Sequence, residues 1–291
     1  MRHCLIMTAY KDVDNINQFI SVIPESWGVY IHLDKKSNIS ITDIKSKRVN
    51  VIKEKKIYWG GHNHLAVIVE MLSRAIKDSH GYDYFHICTG QDFLASKPKD
   101  FDSLIGWERN IFMEIFPLPK KNWWGNGCEI YQLRTISDWG DIRFGIWHYI
   151  HNLCRKIFSV QKYLHLERKL PEFPLYGGSV YCSLTREFVE WMFMSKKAMD
   201  YLYNLRYTWV SEEIFFQTVV MFSPFRDKVK NNNLRYISWG KYSPRYLDVP
   251  DIDEVTSGKY ILCRKVNSHN TVFLNNLLHN VRKQPNLTCC P

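Results

Sequence analysis

The chain has 291 residues, of which 45% are hydrophobic and 15% aromatic, and a net charge of +10 at pH 7. This size suits one large α/β domain, and the charge suggests an anionic partner: nucleic acid, a nucleotide or an anionic membrane surface. The basic residues are scattered, and zinc-finger, RNA-recognition and coiled-coil patterns are missing, so we expect no nucleic-acid partner.

The first half of the chain alternates apolar runs with amphipathic segments. The pattern predicts strands at 3–9, 28–33, 49–52 and 82–88 and helices at 13–23 and 63–77. Such alternation is typical of an α/β fold with a largely parallel sheet. Ligands bind beyond the carboxyl ends of such strands, which places Thr8, Asp34, Trp59 and residues 89–92 on one rim.

The second half is regular only in part. Residues 115–173 are rich in Trp, Lys and Arg, with a basic helix candidate at 144–168. Regular structure resumes with a strand and helix at 178–194, and further elements are predicted at 212–222 and 271–281. We therefore expect a single domain over residues 1–291 with an irregular insertion.

Cysteine usage indicates a reducing compartment. The eight cysteines form no C-x-x-C pair, and Cys289 and Cys290 are adjacent near the end of the chain. Several others, such as Cys4, lie in apolar runs, where a free thiol behaves as a small hydrophobe. No signal peptide precedes residues 3–9 and no apolar stretch reaches membrane-spanning length, so we expect a cytoplasmic protein.

Residues 209–219 (WVSEEIFFQTV) are the most informative segment. Two adjacent carboxylates open an apolar helical stretch, with Ser211 placed to cap it. Acidic groups in an exposed first turn also complement the helix dipole, so the pattern by itself fits an ordinary helix start. Its setting favours a functional interpretation: PLYGGSVY lies upstream at 174–181, and a cationic, aromatic-rich segment follows at 235–265. This is the layout of a general base facing an anionic leaving group.

Motifs for dinucleotides, P-loops and metals are weak or missing. Neither Gly-x-Gly-x-x-Gly nor the P-loop pattern occurs, which argues against a dinucleotide oxidoreductase or a P-loop kinase. Of the Asp-x-Asp matches, those at 12–14 and 251–253 do not follow a mid-chain strand, and we interpret both as solvated turns. Asp34 is one carboxylate, too few to hold Mg²⁺ or Mn²⁺, but able to hydrogen-bond a ribose or uracil edge. His62 and His64 stand two residues apart, cannot share a helix face, and are interpreted as packing or surface residues.

Several segments resemble, in order, the core-2/I-branching N-acetylglucosaminyltransferases and peptide O-xylosyltransferases, which form glycosyltransferase family 14. They are VYIHLDKKS at 29–37, WGG at 59–61, YFHICTGQDF at 84–93, PLYGGSVYCSLTRE at 174–187, SEEIFFQTV at 211–219 and LCRKVN at 262–267. The resemblance spans residues 3–275, while 115–173 matches poorly. It implies a GT-A fold and inverting, metal-independent transfer from a UDP-sugar, with UDP-GlcNAc as donor and UDP-xylose as the alternative.

The resemblance also divides the chain by role. Residues 1–114 would form the nucleotide-sugar half, 115–173 a variable insertion, and 174–291 the acceptor and catalytic half. In the family, a Lys and an Arg near the C-terminus take the place of a metal at the diphosphate. By position the Lys is Lys265. The Arg is Arg245, with two competing cations, Lys241 and Arg264.

Glu213 aligns with the family's catalytic base. Its neighbour Glu212 would point about 100° away on a helix, so only one of the two can face the sugar. A helix N-terminus is expected to keep Glu213 ionised, ready to take the proton of the acceptor hydroxyl.

The remaining site residues are assigned by position. The donor side comprises Thr8, Asp34 and Trp59, and the acceptor side comprises Glu114, Gly178, Ser179 and Trp239. Trp239 matches an aromatic beside the acceptor, and Glu114 matches a carboxylate that hydrogen-bonds acceptor hydroxyls. Gly178 and Ser179 either let the backbone approach a sugar closely or form a tight turn before a strand.

Two other classes of function remain open. A non-catalytic glycan-binding protein would use the aromatics and need no base. A glycoside hydrolase would need two carboxylates about 5–10 Å apart, which Glu213 with Glu114 or Asp92 would supply, but the cations would then have no role.

The partners follow from the same reasoning. We expect a bacterial enzyme that needs no cofactor and extends a glycan acceptor on a lipid carrier. Its positive charge would hold it peripherally on the anionic inner leaflet of the membrane.

Overall fold

The computed structural model describes residues 1–282 apart from Ile136, Ile142, Phe144, Leu166 and Tyr242. Cys289 and Cys290 lie outside the described residues. Within the described residues, free thiols are found at Cys4, Cys88, Cys128, Cys182 and Cys263. No helix in this part of the chain is both long and apolar enough to cross a bilayer.

Short strands are distributed along the whole described chain. They are β1 (His3–Ala9), β2 (Gly28–Leu33), β3 (Asn50–Ile52), β4 (Tyr84–Thr89), β5 (Asp92–Leu94), β6 (Ile111–Met113), β7 (Phe116–Pro117), β8 (Tyr176–Gly177), β9 (Cys182–Thr185), β10 (Val229–Asn231), β11 (Arg235–Ile237) and β12 (Leu262–Arg264). The α-helices are α1 (Val13–Ser21), α2 (His62–Ile76), α3 (Phe101–Ile105), α4 (Cys128–Gln132), α5 (Gly145–Tyr163), α6 (Arg186–Met194), α7 (Lys196–Asn204), α8 (Phe215–Met221), α9 (Ile252–Val255) and α10 (Thr271–Arg282).

Seven strands form the main sheet in the order β10-β6-β9-β4-β1-β2-β3. The central strands β1, β2 and β4 run parallel, and β9 is antiparallel to both of its neighbours. All seven residues of β1 are buried, which explains why it reads as a continuous apolar run. The predicted α/β, GT-A-like fold with a mostly parallel sheet is confirmed.

Helices cover both faces of this sheet. On one face, α2, α6, α7 and α8 contribute Leu65, Phe188, Tyr201 and Phe215 to a continuous core. On the other, α1, α3 and α10 contribute a second core, whose members are Phe19, Phe101 and Phe273, among others. The sheet is thereby packed between two apolar layers.

A second sheet of three strands, β11-β12-β5, lies against the main one. Strand β12 is antiparallel to β5, with Arg264 opposite Asp92. Because β5 begins three residues after β4 ends, this pairing carries the end of β12 to the same place as the end of β4. These strands have three residues each, and the sequence pattern did not predict them.

The segment 115–173 is tied into the domain rather than separate from it. Strand β7 pairs with β8, so that Phe116 lies opposite Gly177. The carboxylate of Asp138 accepts a hydrogen bond from the backbone of Asn63, 2.9 Å away, in the first turn of α2. The insertion therefore supports the start of a helix in the first half of the chain.

Candidate active site at the carboxyl edge of the sheet

The ends of several strands meet at one edge of the main sheet. Strands β1, β2 and β4 are parallel and all end there. We call this the carboxyl edge. Strand β9 runs the other way, so its start lies at this edge, and so does the end of its antiparallel partner β6. This edge therefore carries Thr8, Asp34, Glu114 and the loop before β9. The positions of Thr8 and Asp34 agree with the rim predicted from the sequence.

Glu213 joins this edge through its backbone. Residues 211–213 form one 3-10 turn before α8, and the carbonyl of Glu213 accepts a hydrogen bond from the N–H of Gly178 at 2.9 Å. A Cβ at Gly178 would lie 1.9 Å from the carbonyl oxygen of Glu114. The space on the Cβ side of Gly178 is therefore filled by the protein's own backbone, and the lack of a side chain lets the Glu114 and Glu213 segments pack together. The approach of a sugar to this glycine stays a prediction.

The carboxylate of Glu213 is held by a tryptophan from the insertion. Nε1 of Trp124 donates a hydrogen bond of 2.7 Å to Oε2 of Glu213. The rings of Trp59, Trp124 and Trp209 pack edge to face around one another, with centroids 5.1, 5.4 and 5.7 Å apart. The predicted donor-side residue Trp59 thus belongs to the wall that positions Glu213.

The surroundings of Glu213 favour its protonated form. The pKa of its carboxyl is raised from 4.5 to about 8, and burial is the largest cause. The charges of Glu212 and Glu114 add to the rise, and the Trp124 bond opposes it. The expectation that a helix N-terminus keeps Glu213 ionised is wrong. Helix α8 begins two residues later, at Phe215, and Ser211 does not cap it.

Glu212 faces a different set of partners. Its Oε1 lies 3.2 Å from Nδ1 of His64, and Nε2 of His64 lies 3.2 Å from the hydroxyl of Thr8. The hydroxyl of Ser211 lies 3.1 Å from Nδ1 of His62. The two glutamates therefore point apart, and both histidines support the 211–213 turn from α2. Thr8, predicted to bind the donor, is linked through His64 to Glu212.

Asp34 lies directly after β2, as expected, and its carboxylate is engaged by the chain itself. It accepts hydrogen bonds from the backbone N–H groups of Lys36 at 2.9 Å and Ile57 at 3.3 Å, and it pairs with the Lys36 ammonium group. These contacts join the ends of β2 and the segment that leads to Trp59. Asp34 thus shapes the donor side of the edge, and its role toward a nucleoside stays a prediction.

Lys265 directly follows β12 at the same edge. Its backbone N–H donates to the carbonyl of Arg245 at 3.3 Å, and its carbonyl accepts from Leu247 at 2.8 Å. Burial lowers the pKa of its partly exposed ammonium group, as do the positive charges of Arg264 and Lys11. Within the described part of the chain, this ammonium group forms no ion pair with a carboxylate.

The candidates for a second cation differ in their environments. Arg245 is exposed, and both of its terminal nitrogens bond the carboxylate of Asp251, at 2.8 and 2.6 Å. Arg264 is buried, with its guanidinium 4.0 Å from the ring centre of Tyr181 and its Nε 3.5 Å from Asp92. Lys241 lies in the turn of a hairpin closed by the Trp239–Pro244 bridge.

The carboxylates of Asp12 and Asp251, from the two predicted turns, and of the hydrolase candidate Asp92 have partners within the protein. Asp12 caps α1 by accepting from the backbone of Asn15, and the carboxylate of Asp251 is buried against Arg245, so it is not solvated as predicted. Asp92 is buried beside Arg264 and accepts bonds from Thr89, so it is not available as a hydrolase carboxylate.

The acceptor-side predictions fall in two places. Glu114 is exposed and near enough for its charge to act on Glu213, and Ser179 accepts a bond from Gln217 through its carbonyl. Trp239 is 69% exposed on the hairpin that also carries Arg245. The sequence reasoning missed Trp124 and Lys11. Lys11 could have been found, because it stands just beyond the end of β1.

A family comparison adds to this geometry. Residues 145–259 match the family model of the Core-2/I-branching enzymes. The match covers less than half of the chain and agrees with the resemblance seen in the sequence. This similarity implies a glycosyltransferase that takes a nucleotide-sugar donor and a glycan acceptor. No curated protein matches the chain. The matched range begins with α5 and includes Gly178, Glu213 and Arg245. Residues 145–173 therefore lie within the match, although the segment 115–173 was expected to match poorly.

Proposed function

We propose that the protein is an inverting, metal-independent glycosyltransferase that transfers GlcNAc from UDP-GlcNAc to a hydroxyl group of a glycan. The observation that carries the proposal is the position of Glu213 at the carboxyl edge, with its pKa raised to about 8 and its carboxylate held by Trp124. A base is most effective when its pKa lies near the working pH, so this carboxylate suits removal of a proton from a hydroxyl.

In the proposed reaction, the ionised carboxylate of Glu213 accepts the proton of the acceptor hydroxyl. The hydroxyl oxygen forms a bond to the anomeric carbon of the donor sugar, on the face opposite UDP. The bond between that carbon and the diphosphate oxygen breaks, and UDP leaves with the bonding electron pair. One displacement of this kind inverts the configuration at the anomeric carbon.

Charge on the leaving UDP would be neutralised by protein cations. Lys265 supports this role because its ammonium group stands at the edge beside Lys11 and Arg264 and repels both. A bound diphosphate would relieve that repulsion. Arg245 is proposed as the second cation, held in orientation by its two bonds to Asp251.

The other residues are proposed to shape the two substrate sides. Asp34, Trp59 and Thr8 would line the nucleoside side, while Glu114, Gly178, Ser179 and Trp239 would contact the acceptor. Trp124 is proposed as a positioning residue, because its bond holds the carboxylate of Glu213 in place. UDP-xylose is the alternative donor, and the acceptor is proposed to be a glycan on a lipid carrier.

Thermal-shift titration tests the donor class first. UDP, UDP-GlcNAc, UDP-xylose and UDP-glucose are each added in the presence of EDTA and, separately, of Mn²⁺. At a hundred times its dissociation constant a ligand stabilises the folded protein by about 2.7 kcal/mol, which a melting curve resolves. Stabilisation by UDP in EDTA is the expected result. A response only with Mn²⁺ would contradict metal independence, and no response to any nucleotide would contradict the proposed donor.

A further inference from the structure

Helix α5 carries an exposed apolar stripe that the proposed reaction does not use. Its members recur three, four, seven and three residues apart, which places them on one side of the helix: Ile146, Tyr149, Leu153, Val160 and Tyr163. Their exposed fractions run from 45% at Val160 to 83% at Tyr163. Another part of the same helix faces the protein, since the ring of Trp147 packs against Gly140.

The charge of this region has one sign. Residues 142–166 contain no aspartate or glutamate, and the helix itself contains Arg155, Lys156 and Lys162. The whole chain carries a net charge of +10. A second copy of the same stripe would therefore bring like charges together, which disfavours pairing of two such faces.

An anionic lipid surface fits both properties. A helix with a long apolar stripe and basic residues lies in the plane of the membrane interface, with its apolar side chains among the acyl chains. Tyrosines such as Tyr149 and Tyr163 are favoured there, because the ring is apolar and the hydroxyl reaches water. From Ile146 to Tyr163 the stripe is about 26 Å long at the rise of an α-helix, and no helix of the described chain could span the bilayer instead.

We propose that α5 docks the protein on an anionic lipid bilayer, with Ile146, Tyr149, Leu153, Val160 and Tyr163 inserted at the interface. The orientation has a consequence for the site. Residues 115–173 also supply Trp124, which holds Glu213, so the docked helix and the candidate base belong to one connected region of the protein. An acceptor on a lipid carrier would then meet the enzyme at the surface where it is anchored.

Vesicle flotation of the purified full chain tests the proposal, without nucleotide or acceptor. We expect binding to vesicles that contain phosphatidylglycerol and little binding to pure phosphatidylcholine. Each basic residue near an anionic surface strengthens binding by about five-fold, so Lys156→Glu should weaken it by at least that factor. The double variant Ile146→Asn/Leu153→Gln should weaken it by about ten-fold or more.

The matched control changes two exposed apolar residues elsewhere. Met194 and Tyr203 are 79% and 63% exposed on α6 and α7, and Met194→Gln/Tyr203→Ser should bind as the unaltered protein does. Equal binding by the α5 variants and the unaltered protein would overturn the proposal. So would a failure of the unaltered chain to bind vesicles, including the case in which gel filtration shows a dimer that the α5 double variant disrupts. If that variant does not fold, Lys156→Glu decides. Since no substrate is present, these outcomes are separate from those of the nucleotide titration.

Discussion

Two sides of the carboxyl edge concentrate charges of opposite sign. The carboxylate side consists of Glu114, Glu212 and Glu213, and the cation side consists of Lys11, Arg264 and Lys265. Burial and like charge raise the pKa of Glu213 to about 8, and the same two causes lower the pKa of Lys265. Each side thus disfavours the charged form of its central group. The protein by itself therefore holds two groups of like charges, and the acceptor's proton and the donor's diphosphate would relieve the two repulsions separately.

The two sides differ in how firmly they are held. On the carboxylate side, Trp124 donates a 2.7 Å bond to Glu213, and two more tryptophan rings pack behind it. On the cation side, the flexible chain of Lys265 ends in an ammonium group without a carboxylate partner among the described residues. A fixed base suits an attack with one required direction, and a flexible cation suits a leaving group that moves as its bond breaks.

The largest effect is expected from a substitution on the carboxylate side, and it is a loss of transferase activity. Glu213→Gln keeps the shape of the side chain and removes its basicity, so transferase activity should fall by about 10²–10⁴-fold while UDP still binds. Initial rates with the best donor and calorimetric binding of UDP measure the two properties. Glu212→Gln is the control, because Glu212 faces His64. A full loss in the control together with full activity in Glu213→Gln would reverse the assignment.

The next largest effect is expected from a substitution on the cation side, and it is a loss of affinity for UDP. Lys265→Met retains the apolar length of the chain and removes the charge, so UDP affinity should fall by about ten-fold or more, as expected for a lost bond to a charged group. Titration calorimetry with UDP checks this in the presence of EDTA. Lys241→Met serves as the comparison at the tip of the neighbouring hairpin. Unchanged affinity in Lys265→Met would remove the residue from the diphosphate site.

The pH dependence of transferase activity tests whether Glu213 on the carboxylate side is the base. The kcat/KM value should rise with pH and level off above about pH 8, where Glu213 is ionised. Trp124→Phe removes a bond that lowers the pKa of Glu213, so its profile should move to higher pH. Glu114→Gln removes a charge that raises this pKa, so its profile should move to lower pH. Shifts of the same sign in both variants would contradict the assigned base, whatever the height of each profile.

The fold could be predicted further than the site. Strands β1, β2 and β4 are buried on both faces, so the sequence marks them as apolar runs, and Asp34 follows from the end of one run. The three-residue strands of the second sheet are too short for a period to show. The role of Trp124 depends on a contact across 89 positions of the chain, and the raised pKa of Glu213 depends on carboxylates from two segments. Such properties arise only when the chain is folded. The local pattern at 209–219 therefore gave wrong predictions for the cap at Ser211 and for the ionisation of Glu213.

The smallest expected effect is on the stability of the folded protein, which depends on pH through the buried carboxyl of Glu213. The folded-state pKa of Glu213 is raised from 4.5 to about 8, so between these values the unfolded chain releases a proton that the folded protein keeps. The unaltered protein should therefore lose stability relative to Glu213→Gln as pH rises from 4.5 to 8, with a constant difference above 8.

Melting temperatures measured across this range should show the Glu213→Gln variant gaining a few degrees at the upper end. Glu254→Gln is the control of opposite sign: bonds from Lys259 and Tyr260 lower the pKa of that exposed carboxyl, so its loss should slightly destabilise the protein at neutral pH and less in acid. A Glu213→Gln variant that melts below the unaltered protein at about pH 8 would mean that the ionised carboxylate stabilises the fold. The carboxylate side would then carry no stored repulsion for a substrate to relieve.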